Sequence, residues 1–161
     1  MNIYDYAMEK EKQARSFYLE LAEKTANEGF TNIFNMLADE EAKHYKLLED
    51  MKNDVPAELS ESELLKNAKD AFKRIEQKKE AFVVETDQIE LYKKAQDIEE
   101  KSRQLYLEKA GEIKDAFQKE VFERLAEEEK RHYFLIENII EMVLRPEQWL
   151  ENTEWYHMDE Y

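Results

Sequence analysis

In this 161-residue chain, His44 stands three residues after Glu41, and His132 stands three residues after Glu129. Because a helix turns once every 3.6 residues, side chains three apart lie on one face. A carboxylate and an imidazole on one face can bind the same metal ion, and this donor set suits iron or manganese. The chain has no cysteine, which excludes thiolate zinc sites, iron–sulfur clusters and a cysteine nucleophile.

The two Glu-x-x-His pairs belong to an internal repeat. Residues 4–49 align without a gap on residues 92–137, and 17 of the 46 aligned positions are identical. Shared helical composition alone does not explain so many identities. The offset of 88 pairs the two Glu-x-x-His motifs, and it also pairs Glu11 with Glu99, Arg15 with Arg103 and Tyr18 with Tyr106.

Each copy of the repeat predicts a helical hairpin, because its apolar residues recur at alternating steps of three and four. Residues 27–29 and Gly111 are predicted to break the two hairpins, and Pro56 and Pro146 to end them. The four main helices are therefore expected at about 4–25, 31–52, 86–110 and 114–144.

The composition and the segment between the copies complete the predicted fold. Ala, Glu, Lys, Arg and Leu make up about half of the chain, and Gly and Pro number only two each, which is typical of long helices. An apolar stripe after the cap-like Ser60 and Ser62 predicts a fifth, connecting helix. Its members are Leu64, Leu65, Ala68, Ala71, Phe72 and Ile75. We therefore predict an all-α, ferritin-like four-helix bundle of two repeated helical hairpins, joined by a long crossover that contains an extra helix.

The length agrees with one ferritin-like domain over residues 1–161. Repeat one is predicted at about 4–52, the crossover at 53–85, repeat two at about 86–145, and an aromatic C-terminal tail at 146–161. The tail holds both tryptophans, Trp149 and Trp155, and is expected to pack on the bundle or on a partner subunit. So narrow a bundle exposes more apolar surface than one chain can cover, which favours a homodimer.

The inward face of each main helix carries a glutamate in an otherwise apolar line. Burying four facing carboxylates without a counter-charge is unfavourable. Two divalent cations would balance the four negative charges, and two neutral imidazoles would complete the coordination without changing that sum. This is the donor set of a di-iron or di-manganese centre in a bundle core, and iron, manganese and a mixed pair use the same ligands. The predicted metal ligands are Glu11, Glu41, His44, Glu99, Glu129 and His132.

Four further residues could support this centre. Tyr18 and Tyr106 stand two turns after the glutamates of the first and third main helices, so their hydroxyls could bind a metal ligand or an oxygen species. Tyrosine on such a face is as often simple core. Glu40 and Glu128 directly precede two predicted ligands and could accept the free ring N–H of the histidine from the other copy. Exposure to solvent is the alternative for both.

Charge and hydropathy restrict the partners of the chain. A net charge of -15 repels phosphate backbones and anionic membrane surfaces, so neither nucleic acid nor a membrane is an expected partner. No stretch approaches 18 uninterrupted apolar residues, and residues 1–15 carry charges where a signal peptide needs an apolar core. We therefore expect a cytoplasmic protein.

These motifs resemble the rubrerythrin-type members of the ferritin-like superfamily over almost the whole chain. The resemblance rests on Glu11-Lys12-Gln13-Ala14-Arg15, Glu41-Ala42-Lys43-His44, Glu99 with Tyr106, Glu129-Lys130-Arg131-His132, and the tail with Trp149 and Trp155-Tyr156-His157. It implies a di-iron centre in which Glu41 and Glu129 bridge. One iron would then be held by Glu11, Glu41 and His44, and the other by Glu99, Glu129 and His132.

The chain departs from the family pattern in two places. Two-domain rubrerythrins add a rubredoxin-like domain that holds iron with four cysteines and supplies electrons. This chain has no cysteine, so it would need an external, rubredoxin-like electron-donor protein. The family also has an extra carboxylate one turn after the third-helix glutamate, where this chain has Ser102, with Ala14 in the first repeat. The symmetric set of four glutamates and two histidines is equally similar to a bacterioferritin ferroxidase centre.

The function implied by the resemblance is a di-iron oxidoreductase that reduces hydrogen peroxide or dioxygen and protects against oxidative stress. Tyr18 or Tyr106 would then act as catalytic residues that orient the bound oxygen species. Two alternatives stay open. One is a ferroxidase that loads iron for storage, and the other is a non-catalytic, metal-stabilised binding or sensor module.

Overall fold

The computed structural model describes residues 2–59, 61–77 and 83–146. Within these ranges the chain forms five α-helices and no strand: α1 (Ile3–Lys24), α2 (Glu28–Lys52), α3 (Leu64–Gln77), α4 (Ile89–Glu112) and α5 (Ala116–Leu144). A 3-10 turn at Thr86–Gln88 leads into α4. Helices α1 and α2 pack as one hairpin, α4 and α5 pack as the other, and α3 packs mainly against α2. The prediction of an all-α bundle with an extra crossover helix is confirmed.

Local sequence signals set several helix ends. The side chains of Asn2 and Asp115 cap α1 and α5 by accepting a first-turn backbone N–H, at 2.8 and 2.9 Å. Beyond the end of α2, Asp54 adopts a left-handed conformation with a φ of 57°. The next N–H, of Val55, then reaches back to the carbonyl oxygen of Asp50 at 2.8 Å, which closes the helix.

Four predicted helix boundaries are wrong by two or three residues: the starts of α2, α4 and α5 and the end of α4. Helix α2 begins at Glu28 because Gly29 is helical rather than a break. Gly29 instead makes room for Ile75 of α3, since a Cβ at Gly29 would lie 2.4 Å from the Ile75 side chain. Gly111 likewise lies inside the last turn of α4. Helix α4 begins at Ile89 because the three residues before it form the 3-10 turn.

The crossover helix agrees with its predicted pattern. Ser62 accepts a hydrogen bond from the backbone N–H of Leu64 at 3.2 Å, so it acts as the predicted cap. Five of the six stripe residues are buried and Leu65 is partly buried. Ser60 and the aromatic tail at 147–161 lie outside the described residues. In the described part of the chain, no helix is both long and apolar enough to cross a bilayer.

The apolar core of the bundle is divided into two clusters. One contains Phe30, Phe34 and Tyr92 together with the buried face of α3, and the other contains Tyr106 and Phe122. Six ionisable side chains, each at most 3% exposed, form a polar layer where the two clusters meet. These six are the predicted ligands Glu11, Glu41, His44, Glu99, Glu129 and His132.

Candidate metal centre

Four helices contribute to the polar layer. Each main helix supplies one glutamate, and α2 and α5 also supply a histidine from the next turn of the same face. The six side chains form two groups whose ligand atoms lie within 4.8 Å of one another. Glu41 and Glu129 belong to both groups, which is the position expected of bridging carboxylates. The first group adds Glu11 and His44, and the second adds Glu99 and His132.

Both histidines present Nδ1 to the centre of the layer. Each Nδ1 lies 2.9 Å from the shared glutamate of the other hairpin, and 3.5 Å from the α1 or α4 glutamate of its own hairpin. The rings of His44 and His132 are nearly parallel, with an interplanar angle of 7° and centroids 5.7 Å apart. The two halves of the centre therefore match each other as the sequence repeat requires.

Five buried polar atoms of the described layer make no hydrogen bond of good geometry: Oε2 of Glu11, Glu41 and Glu99, Oε1 of Glu129, and Nδ1 of His44, the last two lying 2.9 Å from each other. Leaving one buried polar atom unpaired costs about 1–3 kcal/mol, so five together need an explanation. All five carry a lone pair in the deprotonated side chain, and all lie in the groups described above. Carboxylate oxygen and imidazole nitrogen are metal donors, so the layer fits a pair of divalent metal ions.

The four carboxyl groups divide into two kinds. Burial raises the pKa of Glu41 and Glu129 well above the usual value, and the surrounding glutamates raise it further. Burial also raises the pKa of Glu11 and Glu99, but the charge of the nearest histidine and the hydrogen bonds with neighbouring side chains together outweigh it, so both pKa values lie below the usual value. These opposite shifts favour protonation of the two shared carboxyl groups and ionisation of the other two when no metal is bound. Any proton held by the shared pair must leave when metal binds.

Two tyrosines tie the hairpins together at this layer. The hydroxyl of Tyr18 donates a hydrogen bond to Glu99, and that of Tyr106 donates to Glu11. Burial and the adjacent carboxylates raise the pKa of both hydroxyls well above the usual value, so they remain donors. In this structure the tyrosines contact metal-ligand candidates rather than serve only as core. Their role in orienting an oxygen species stays a prediction.

The glutamates that precede the shared pair differ in their contacts. Glu128 lies 2.6 Å from Nε2 of His44, the contact expected from the sequence. Burial raises the pKa of Glu128, but its hydrogen bond with His44 and the nearby positive charges together outweigh burial and lower it. An ionised Glu128 holds the proton on Nε2 and leaves Nδ1 free for a metal. Glu40 is buried too, but it lies 3.5 Å from Lys43 of its own helix, and no contact with His132 is seen in the described structure.

The approach to the layer from outside could not be read from the sequence. A recess of about 260 Å³ opens between α1 and α2 and reaches two of the candidate ligands. Its lining residues are Glu11, Lys12, Arg15, Glu41, Ala42 and Tyr45. The sequence shows only that the two copies of the repeat differ on this face. Lys12 and Ala42 correspond to Glu100 and Lys130 in the second copy.

Two helical hairpins around four buried glutamates and two histidines define a ferritin-like bundle with a candidate metal site of carboxylate and histidine ligands. Comparison with known proteins identifies the family within this class. The Rubrerythrin family model matches residues 2–140, so the chain belongs to the rubrerythrin family, which indicates a di-iron protein of the ferritin-like superfamily.

One solved structure is similar over most of its length. A hypothetical protein from Pyrococcus furiosus superposes with a TM-score of 0.64 and 26% sequence identity, over 88% of this chain and 87% of that one. A search of curated proteins found no significant match. The similar proteins therefore identify the family and the fold, and the reaction has to be inferred from the residues of the site.

Proposed function

We propose that the protein is a di-iron oxidoreductase that reduces hydrogen peroxide or dioxygen and is re-reduced by an external, rubredoxin-like electron-donor protein. The observation that supports this most is the convergence of carboxylate and imidazole donor atoms, five of them without a hydrogen bond of good geometry, in one buried layer, in a chain of the rubrerythrin family. Manganese or a mixed metal pair fits the same donors.

The six residues of the layer have distinct roles in this proposal. Glu41 and Glu129 would bridge the two metal ions, because each belongs to both ligand groups. Glu11 and His44 would complete one metal site, and Glu99 and His132 the other. When bound, two ferrous ions would supply the two electrons that, with two protons, reduce one hydrogen peroxide to two waters.

The residues around the layer position the candidate metal ligands for this reaction. The hydroxyls of Tyr18 and Tyr106 hold Glu99 and Glu11 in place, and Glu128 holds the ring of His44. The two apolar clusters flank the layer, and its four glutamates are at most 2% exposed, which strengthens their electrostatic interactions. Function as a homodimer stays a prediction.

Anaerobic stopped-flow mixing tests the proposed reaction. Protein loaded with two ferrous ions per chain is mixed with hydrogen peroxide or with dioxygen, and the rise of ferric absorption is recorded. We expect one peroxide consumed for every two ferrous ions oxidised, followed by repeated turnover when a reduced rubredoxin is added. A ferrous centre inert to both oxidants would overturn the proposal. Oxidation and retention of many iron ions per chain would favour the ferroxidase alternative instead.

A matched set of tyrosine variants tests the supporting residues. Tyr18→Phe and Tyr106→Phe remove the hydroxyls that contact ligand carboxylates, so we expect slower oxidation with two metal ions still bound. Tyr4→Phe is the control, because its hydroxyl contacts Gln118 at the end of the bundle, at 3.0 Å. Equal rates in all three variants would remove the tyrosines from the mechanism.

A further inference from the structure

The recess between α1 and α2 ends on the metal-ligand candidates themselves. Glu11 and Glu41 are at most 2% exposed, yet both line it. Its volume of about 260 Å³ greatly exceeds the roughly 30 Å³ that one water occupies in the liquid. A small ligand such as peroxide or azide therefore has room to approach the centre from this side.

The walls of the recess carry an unusual charge for this protein. Lys12 and Arg15 line it and are exposed, whereas the chain as a whole has a net charge of -15. Two cationic side chains at the mouth of a recess raise the local concentration of anions and lower that of cations. Neutral peroxide is not excluded by this field.

The corresponding face of the second hairpin is built differently. Glu100 replaces Lys12, and its carboxylate pairs with Arg103 at 3.2 Å. Lys130 replaces Ala42, and its long side chain is half-buried. The second hairpin therefore has an acidic residue at the position of Lys12 and a long side chain at the position of Ala42.

We propose that the α1–α2 recess is the route by which small neutral or anionic ligands reach the metal centre, and that Lys12 and Arg15 disfavour cations there. The route deepens the proposed function, because hydrogen peroxide would be its physiological ligand. It also separates the oxidant from ferrous iron, whose positive charge would direct it elsewhere. A ferroxidase would instead need a path that attracts cations.

The absence of cysteine from the chain allows a test on metal-free protein. Ala42→Cys places a single thiol in the recess, and its rates of modification by anionic and cationic methanethiosulfonates are compared at low ionic strength. We expect the anionic reagent to be favoured. Adding Lys12→Glu and Arg15→Glu should lower the ratio of anionic to cationic rates by about tenfold.

The control for this charge reversal is Lys66→Glu with Lys73→Glu on α3, two exposed residues whose reversal changes the net charge equally. In the Ala42→Cys background we expect this pair to change the rate ratio by less than about twofold. Equal changes from both pairs would show only the effect of net charge and would overturn the cationic mouth. A thiol that reacts with neither reagent would overturn the open recess.

A second experiment tests the route in iron-loaded protein. Ala42→Lys reproduces Lys130 of the second hairpin, and Ala116→Lys makes the same substitution at an exposed residue of α5. With two metal ions bound in both, we expect Ala42→Lys alone to slow azide binding to the ferric protein, and peroxide oxidation of the ferrous protein, by at least about tenfold. Ligand rates equal to those of the control would overturn the route.

The two readouts separate this proposal from the proposed function. Slower azide binding in Ala42→Lys, with a wild-type centre inert to peroxide, would support the route and overturn peroxide reduction. Azide binding and peroxide oxidation in Ala42→Lys that are both as fast as in the control would overturn the route and support peroxide reduction. If Ala42→Lys failed to bind metal, the thiol-labelling rates in the metal-free protein would still decide whether the recess is open and anion-selective.

Discussion

The two hairpins present the same chemistry to the interior of the bundle and different chemistry to their surroundings. Each contributes two glutamates, one histidine and one tyrosine to the buried layer, with matching distances. Outside the layer the match ends. Glu128 of the second hairpin holds the histidine of the first, whereas Glu40 lies against Lys43. The first hairpin is open at Ala42, and the second carries Lys130 there.

This difference separates two kinds of requirement. The negative charges of the facing carboxylates in the buried layer must be balanced by the metal pair. Both copies of the repeat therefore need the same ionisable residues at the same depth. The outer faces meet different neighbours and are free to diverge. We therefore expect variants inside the layer to have equal effects in both hairpins, and variants around it to have unequal ones.

The largest effect should come from the shared glutamates. Glu41→Gln and Glu129→Gln each remove a ligand that both metal groups use, so each should reduce the bound metal from two ions per chain to one or none. Glu40→Gln, one residue away, should retain two ions. Metal analysis after anaerobic loading and dialysis gives the count. A large loss in only one of the two shared positions would contradict their equivalence.

The second prediction concerns the pH dependence of the metal-free protein. Glu41 and Glu129 have raised pKa values when folded, so between its unfolded and its folded pKa each carboxyl group holds a proton that the unfolded chain has lost. The free energy of unfolding should therefore fall as pH rises, by about 1.4 kcal/mol per pH unit for each carboxyl group. His44, whose pKa is raised by neighbouring carboxylates despite burial, acts in the same direction above its usual value.

Denaturant unfolding of metal-free protein between pH 5.5 and 7.5 measures this slope. Glu41→Gln and Glu129→Gln should each remove one carboxyl group's share of it, and by the same amount. Glu11 and Glu99, whose pKa values are lowered, affect the slope only at lower pH. Stability that rises with pH over this range would show that the shared carboxyl groups are ionised in the folded protein.

The next effect distinguishes the hairpins. Glu128→Gln weakens the hold on the ring of His44, and the loss of such a partner typically lowers metal affinity by about 10–100-fold. Glu40→Gln removes only the contact with Lys43 and should change affinity by less than about threefold. Competition with a chelator measures both. Equal losses would mean that Glu40 also supports a histidine once metal is bound.

The smallest effects concern the two glycines. They lie at different positions in the two hairpins, Gly29 in the first turn of α2 and Gly111 in the last turn of α4. Gly111→Ala meets no atom within 4 Å and should stabilise α4 by about 0.5–1 kcal/mol, because alanine favours a helix. Gly29→Ala gains the same but forces Ile75 of α3 to move. Such overpacking costs about 1–3 kcal/mol, so this variant should be destabilised. Thermal unfolding of both variants checks the sign.

Most of the fold could be predicted because the repeat and the helical spacing are strong signals. The glycines were misread, since glycine usually ends a helix while Gly29 and Gly111 both lie within one. At Gly29 the reason is the approach of Ile75, a contact between segments some 46 residues apart that local rules do not contain. The 3-10 turn before α4 has a similar origin, because Glu85 beside it accepts a hydrogen bond from Thr25 at 2.8 Å.

The six residues of the site could be named from the sequence because buried carboxylates need a counter-charge such as a metal ion. The repeat also places the same two glutamates and one histidine in both copies. The crosswise hydrogen bonds of Tyr18 and Tyr106 could not be predicted, since they depend on which helices face each other across the bundle. The different contacts of Glu40 and Glu128 could not be either, because the two residues are identical in the repeat. Only their three-dimensional surroundings distinguish them.

The central claim is that six side chains from four helices hold two metal ions between them. Anomalous diffraction from iron-loaded crystals, recorded on both sides of the iron absorption edge, tests it most directly. We predict two iron peaks per chain, one within bonding distance of Glu11 and His44 and the other of Glu99 and His132, with Glu41 and Glu129 contacting both. A single peak, or peaks only at the surface, would contradict the account.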